Sequence, residues 1–119
     1  MLDKADEDLR LAFAFLDISP EQAGRLAYMA AFHAAVAAVL SETGKEPKTH
    51  AGVRLAFGKL VMQESRLGGE LGRFLARAYE SKDIADYRTE YRVDRESASD
   101  IIDGARQVIA KVNGFLRPA

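Results

Sequence analysis

One stretch, LAYMAAFHAAVAAVLS over residues 26–41, carries no charged residue and is apolar on nearly every side when wound as a helix. Leu26, Met29, His33, Val36 and Leu40 form one seam, and Tyr28, Phe32, Ala35 and Val39 form another. Ala27, Ala31, Ala34 and Ala38 are small enough to let a neighbour approach closely. A helix apolar on most sides has to be covered by other helices or by a subunit interface. As a helix the run rises about 24 Å, short of a roughly 30 Å hydrocarbon core. With His33 inside it and alanine dominating, it reads as the centre of a soluble bundle rather than a membrane span, and residues 26–40 are expected to be the most buried segment.

The rest of the chain supplies the cover. The strong helix formers Ala, Leu, Glu, Lys and Arg dominate, and the three prolines (Pro20, Pro47, Pro118) all fall at natural breaks. No stretch alternates polar and apolar residues over five positions, so no sheet is expected. The first helix is placed at 3–16, with Asp3, Asp6, Glu7 and Asp8 at the positive end of its macrodipole and Leu9, Phe13 and Leu16 on one face. The second opens on Ser19 as N-cap with Pro20 at the first helical position and stops at Gly44. The third spans about 49–65, turning Val53, Phe57, Leu60 and Val61 inward. After Gly68-Gly69 the fourth spans about 70–85, with Leu71, Phe74, Leu75, Ala78 and Tyr79 inward. Residues 86–93 read as irregular. The fifth begins after Asp94 as N-cap and runs to Leu116, with a stripe of Ala98, Ile101, Ile102, Ala105, Val108, Ile109, Val112, Phe115 and Leu116 at spacings of three and four. The fold class is therefore all-α: an antiparallel four- to five-helix up-and-down bundle, one domain over 1–119, with the 3–16 helix as an added element.

Residue types narrow the chemistry. The 119 residues include no Cys and two His, which removes thiolate nucleophiles, Cys-bound zinc and His-rich metal sites. No glycine-rich phosphate loop, nucleophile elbow or Glu-x-x-His pair is present, so neither a metal nor an organic cofactor is expected. A formal net charge of −1 argues against a generally basic nucleic-acid coat. The charge is split, net −4 over residues 1–44 and net +3 over 45–119. An acidic start, MLDKADED, does not resemble a secretion signal, so the chain is expected to be cytoplasmic, with no membrane partner.

The order of features is itself informative. AYMAAFHAAVAAVL (27–40) is followed by a glycine turn, KTHAGV (48–53), Phe57, LGRFLARAYESKDIADY (71–87) and a last amphipathic helix. This spaced set, covering roughly residues 20–117, resembles the HEPN domains, small prokaryotic helical bundles. It is most similar to the stand-alone kind encoded beside a minimal nucleotidyltransferase. The resemblance implies a bundle that is usually dimeric. It also implies a minimal nucleotidyltransferase protein and RNA or a nucleotide as partners, and in many members a ribonuclease or toxin activity. Active forms carry an Arg, four to six residues and then a His, and these residues from two protomers meet in a cleft at the dimer interface. At the matching place this chain has Lys82, three residues, then Asp86 and Tyr87, and no His follows residue 50.

Metal-independent RNA cleavage needs a proton acceptor for the 2'-hydroxyl and a cation for the developing phosphate charge. Lys82 supplies a cation and Asp86 a carboxylate, but a lysine four residues away favours the ionised, weakly basic carboxylate. A helix-end ion pair is the simpler reading of the two. His33, on an apolar seam, reads as a packed, hydrogen-bonded histidine. His50, in the first turn of the third helix beside Lys48 and Thr49, is the strongest single functional candidate. The helix dipole there disfavours protonated imidazole and favours an anion. Tyr87 and Arg88, in the Arg- and Tyr-interleaved segment 86–95, and Arg73 and Arg77, four apart on the fourth helix, are the candidate RNA or nucleotide contacts. Two functions remain. One is a non-catalytic or degenerate interaction subunit of a nucleotidyltransferase-linked toxin–antitoxin or related defence system. The other is a metal-independent endoribonuclease toxin with a modified motif.

Overall fold

The computed structural model describes residues 2–87 and 93–117, and within it the side chains of residues 81–87 lie outside the described set. Five helices follow one another: α1 (Leu2–Phe15), α2 (Pro20–Thr43), α3 (His50–Gln63), α4 (Gly69–Tyr87) and α5 (Arg95–Leu116). No strand occurs among the described residues.

The ends of α2 form where local chemistry requires them. Ser19 is extended and its hydroxyl accepts from the Gln22 amide, with Pro20 at the first helical position. At the other end Gly44 takes φ 75°, a left-handed conformation that glycine adopts without a Cβ penalty, and its amide donates to the Leu40 carbonyl at 2.8 Å. Thr49 and Asp94 cap α3 and α5 by accepting from the Gly52 and Ser97 amides. The amide bond from Ser97 holds the Asp94 carboxyl below its ordinary pKa.

Helix α2 is the axis of the molecule and packs most extensively against α5 and α1. Ala27, Ala31, Ala34 and Ala38 are all fully buried, as are Ala30 and Ala35. By length and composition α2 is apolar enough to cross a membrane, but 67% of its most apolar window is buried inside the bundle, as in a core helix. The neighbouring helices come close because alanine keeps α2 thin.

Helix α1 corrects one expectation. Its inward face is Ala5, Asp8 and Ala12, followed by Leu16, whereas Phe13 is 46% exposed with the Arg106 guanidinium 5.0 Å from its ring centre. Against an alanine-lined α2 the better fit is small on small, so the α1 residues that dock are its alanines. Asp8, read from sequence as one of the acids at the positive end of the macrodipole, is buried. Helix α4 also runs further than expected, so residues 86 and 87 are helical rather than irregular.

On the other flank α3 and α4 make an antiparallel hairpin through the turn at 64–68. A Cβ on Gly72 would stand 3.5 Å from the Gly58 Cα and 3.1 Å from Val61 Cγ2, which marks where the two backbones cross closely. Across from it, a Cβ on Gly104 would fall inside the Phe74 ring, so only glycine lets that ring lie on α5.

Candidate functional site

Where α2, α3 and α4 meet, four rings and one guanidinium gather around the first turn of α3. Tyr28 of α2 is fully buried, and its hydroxyl is hydrogen-bonded to His50 Nδ1 at 3.1 Å. Phe32, one turn on from Tyr28, stacks on the His50 imidazole with centroids 4.1 Å apart and planes 16° from parallel. Tyr79 of α4 closes the cluster, 5.7 Å from Tyr28 and 6.5 Å from His50 between ring centres. Arg54, four residues after His50 on α3, lays its guanidinium 3.6 Å above the centre of the Tyr79 ring, a cation–π contact. Its Nη1 is buried and has no hydrogen-bond partner among the described residues.

The local sequence explains where His50, an exposed residue, is placed. Thr49 caps α3 with its hydroxyl 2.9 Å from the Gly52 amide, which sets His50 at the first helical position, pointing back toward α2. Burial pushes the Tyr28 hydroxyl above its ordinary pKa of 10.0, and the nearby Arg54 guanidinium opposes that shift. Tyr28 therefore keeps its proton at neutral pH, and its hydroxyl serves Nδ1 as donor or acceptor according to the imidazole tautomer.

The second histidine is bound elsewhere. His33 Nδ1 lies 2.9 Å from Asp8 Oδ2, and Lys4 Nζ lies 3.6 Å from the other carboxylate oxygen. This is a packed, hydrogen-bonded histidine bridging α1 and α2. Among the described residues no group of three His, Asp or Glu is placed to hold a metal ion.

The remaining candidates separate. Lys82, Asp86 and Tyr87 lie on α4 beyond Tyr79. Asp86 stands two helical turns past it in register, but the three side chains lie outside the described residues, as does Arg88 altogether. Arg77 lines a recess of about 240 Å³ between α4 and α5, together with Glu70, Asp100 and Asp103, so its surroundings are acidic rather than open to a phosphate. Arg73 is exposed near the start of α4. Arg54 and Tyr79 complete the cluster, and sequence reading missed the arginine. The signal was a cation one turn after His50 on a helix with no acidic residue, and it needed the α4 ring opposite to have meaning.

Comparison with known proteins decides the family. The model of the HEPN domain matches residues 1–115, which takes in all five helices but for the end of the last. The chain belongs to the HEPN domain family. It is also similar, at 30% identity over 118 residues, to the Methanocaldococcus jannaschii protein named "Putative toxin MJ0605". The alignment covers 98% of this chain and 87% of that protein. The HEPN assignment agrees with the all-helical bundle.

Proposed function

We propose that this chain is a toxin-related HEPN interaction subunit. It forms a homodimer and acts with a protein partner, a minimal nucleotidyltransferase, rather than cleaving RNA by itself. The observation that carries the reading is the absence of any His after residue 50 in the sequence. Active forms of the family carry a His at the motif position, and this chain has Asp86 there. His33 is engaged by Asp8, and no third histidine exists. The acidic residue at the motif position is a poor substitute, because an ordinary Asp, with a pKa of about 3.9, is ionised and weakly basic at neutral pH. The similarity to a protein named as a toxin supports the toxin-related part of the reading.

The test compares purified wild type with Lys82→Ala, Asp86→Asn and His50→Ala on structured and single-stranded RNA without added metal. Near-background cleavage by all four, with circular dichroism unchanged, is the expected outcome. Robust wild-type cleavage that collapses in any of the three variants overturns it in favour of the endoribonuclease.

A further inference from the structure

The flanks of the outer stripe on α3 carry a charge pattern that the bundle itself does not use. Leu55 is 64% exposed and Met62 77%, and with exposed Ala51 and with Gly58 they run along the helix opposite the buried Val53, Phe57, Leu60 and Val61. Leu55, Gly58 and Met62 line an open recess of about 370 Å³ together with Arg54, Lys59 and Gln63. Positions 51, 55, 58 and 62 are spaced four, three and four, which is the a/d seam of a coiled coil: Leu55 and Met62 at a, Ala51 and Gly58 at d. The positions beside such a seam, g and e, select the partner by charge. Around Leu55 they are Arg54 and Lys59.

Neither cation is neutralised within the chain. Helix α3 has no carboxylate, and among the described residues no carboxylate pairs with Arg54 or Lys59. A third cation stands at the Met62 end: Arg73 Nη1 and Met62 Sδ each lie 3.5 Å from the point where a Cβ on Gly69 would be. We propose that this seam docks an amphipathic helix of a different protein, one whose own apolar stripe is bordered by carboxylates. This docking rests on the interaction-subunit reading above and gives its protein partner a chemistry and a place.

Shape and charge select the same occupant. A Cβ at Gly58 would meet nothing within 4 Å, so a large aliphatic side chain of the incoming helix has an open hole to enter. Small residues of that helix would cover Leu55 and Met62, and its carboxylates would stand beside Arg54 and Lys59, fixing the register. A second copy of this chain lacks that complement: run in either direction, its own Arg54 and Lys59 would bring cations against these two. An RNA strand would call for aromatic stacking platforms, and the seam offers aliphatic side chains and a glycine.

The test uses two synthetic helices of about three heptads, identical in a seam of alternating Leu and Ala, one with Glu and the other with Lys at every e and g position. Fluorescence anisotropy reads their binding to the full chain, as wild type, Leu55→Glu, Gly58→Leu, Lys59→Glu and, as a control on another exposed apolar residue, Ile18→Glu. Wild type and Ile18→Glu are expected to bind the acidic helix about tenfold or more tighter than the basic one. Leu55→Glu and Gly58→Leu should each weaken the acidic helix by about tenfold with helicity retained, and leucine at 58 raises helix propensity, so a loss there is not loss of fold. Lys59→Glu should shift the preference about tenfold toward the basic helix. Equal binding of the two helices, binding of neither, or acidic binding that survives both Leu55→Glu and Gly58→Leu overturns the docking and leaves the interaction-subunit reading standing. That reading falls separately, on RNA cleavage by wild type. A wild-type dimer that Leu55→Glu splits in sedimentation assigns the seam to a second copy, and Leu55-dependent uptake by phosphatidylserine vesicles assigns it to a lipid surface; either result overturns the acidic helix.

Discussion

In the layer made by α1, α2 and α5 the helices meet through alanine, whereas the joint of α2 with the α3–α4 hairpin is filled with rings. The first region buries Ala5, Ala12, Ala27, Ala31, Ala34, Ala98 and Ala105 completely or nearly so. The second buries Tyr28 and Phe57, half-buries Phe32 and Tyr79, and draws a guanidinium among them. Close backbone approach leaves little room for anything but methyl groups. A wider gap has to be filled with large side chains, and those bring hydroxyl, imidazole and guanidinium groups with them. Structural economy and chemical capacity are thus divided between two sides of one helix, and the candidate site lies on the side where the packing is coarse.

This contrast is open to direct attack, because opposite substitutions should damage the two regions. The largest effect is expected from Phe57→Ala. The ring is fully buried on the inner face of α3, and its loss should cost about 3–5 kcal/mol in a urea titration. A loss under about 1 kcal/mol would mean that the hairpin collapses to fill the space, and the two regions would no longer differ in kind. Next comes Ala34→Leu on α2, which adds three carbons at a fully buried position and should cost about 1–3 kcal/mol by overpacking. A neutral result would show that α1 or α5 can move away freely.

A smaller effect isolates the site. Tyr28→Phe keeps the ring and removes the hydroxyl, so at neutral pH it should lose about 1 kcal/mol, the net value of one hydrogen bond. The sign of the pH dependence follows from the raised pKa of Tyr28. Its contribution is fully present below the unfolded value of 10.0 and is lost as pH rises through the folded one, because the unfolded chain ionises first. Wild type should therefore lose more stability above pH 10 than Tyr28→Phe does. Parallel alkaline curves for the two proteins would remove Tyr28 as the group responsible.

The frame of the bundle was legible because its signals are local. Ser19, Pro20, Gly44 and Asp94 act within one helical turn, and the stripe on α5 needs only a period of 3.6. The buried 26–40 segment was legible for the same reason. Face assignments failed where the partner decides. Phe13 looked like an inward residue until α2 proved too smooth to receive it. For Asp8 the sequence shows only a dipole-favoured acid, because its partner, His33, is 25 residues away. The site was half legible. His50 stood out by type and position, but Arg54 acquires its role from Tyr79, a residue of another helix. Nothing in the periodicity of either helix encodes that meeting.

The Asp8–His33 bond has one further consequence. Two alanine surfaces in contact resemble smooth rods: sliding α1 along α2 by one turn exchanges one methyl contact for another and changes the energy little. A buried carboxylate removes that indifference. In the native alignment Asp8 finds an imidazole nitrogen 2.9 Å away and the Lys4 ammonium on its own helix. One turn toward either end it would face Met29 or Ala37, and its negative charge would be buried against side chains that accept no proton and donate none. The pair acts as the notch on a sliding ruler, contributing less to how tightly α1 binds than to where along α2 it stops.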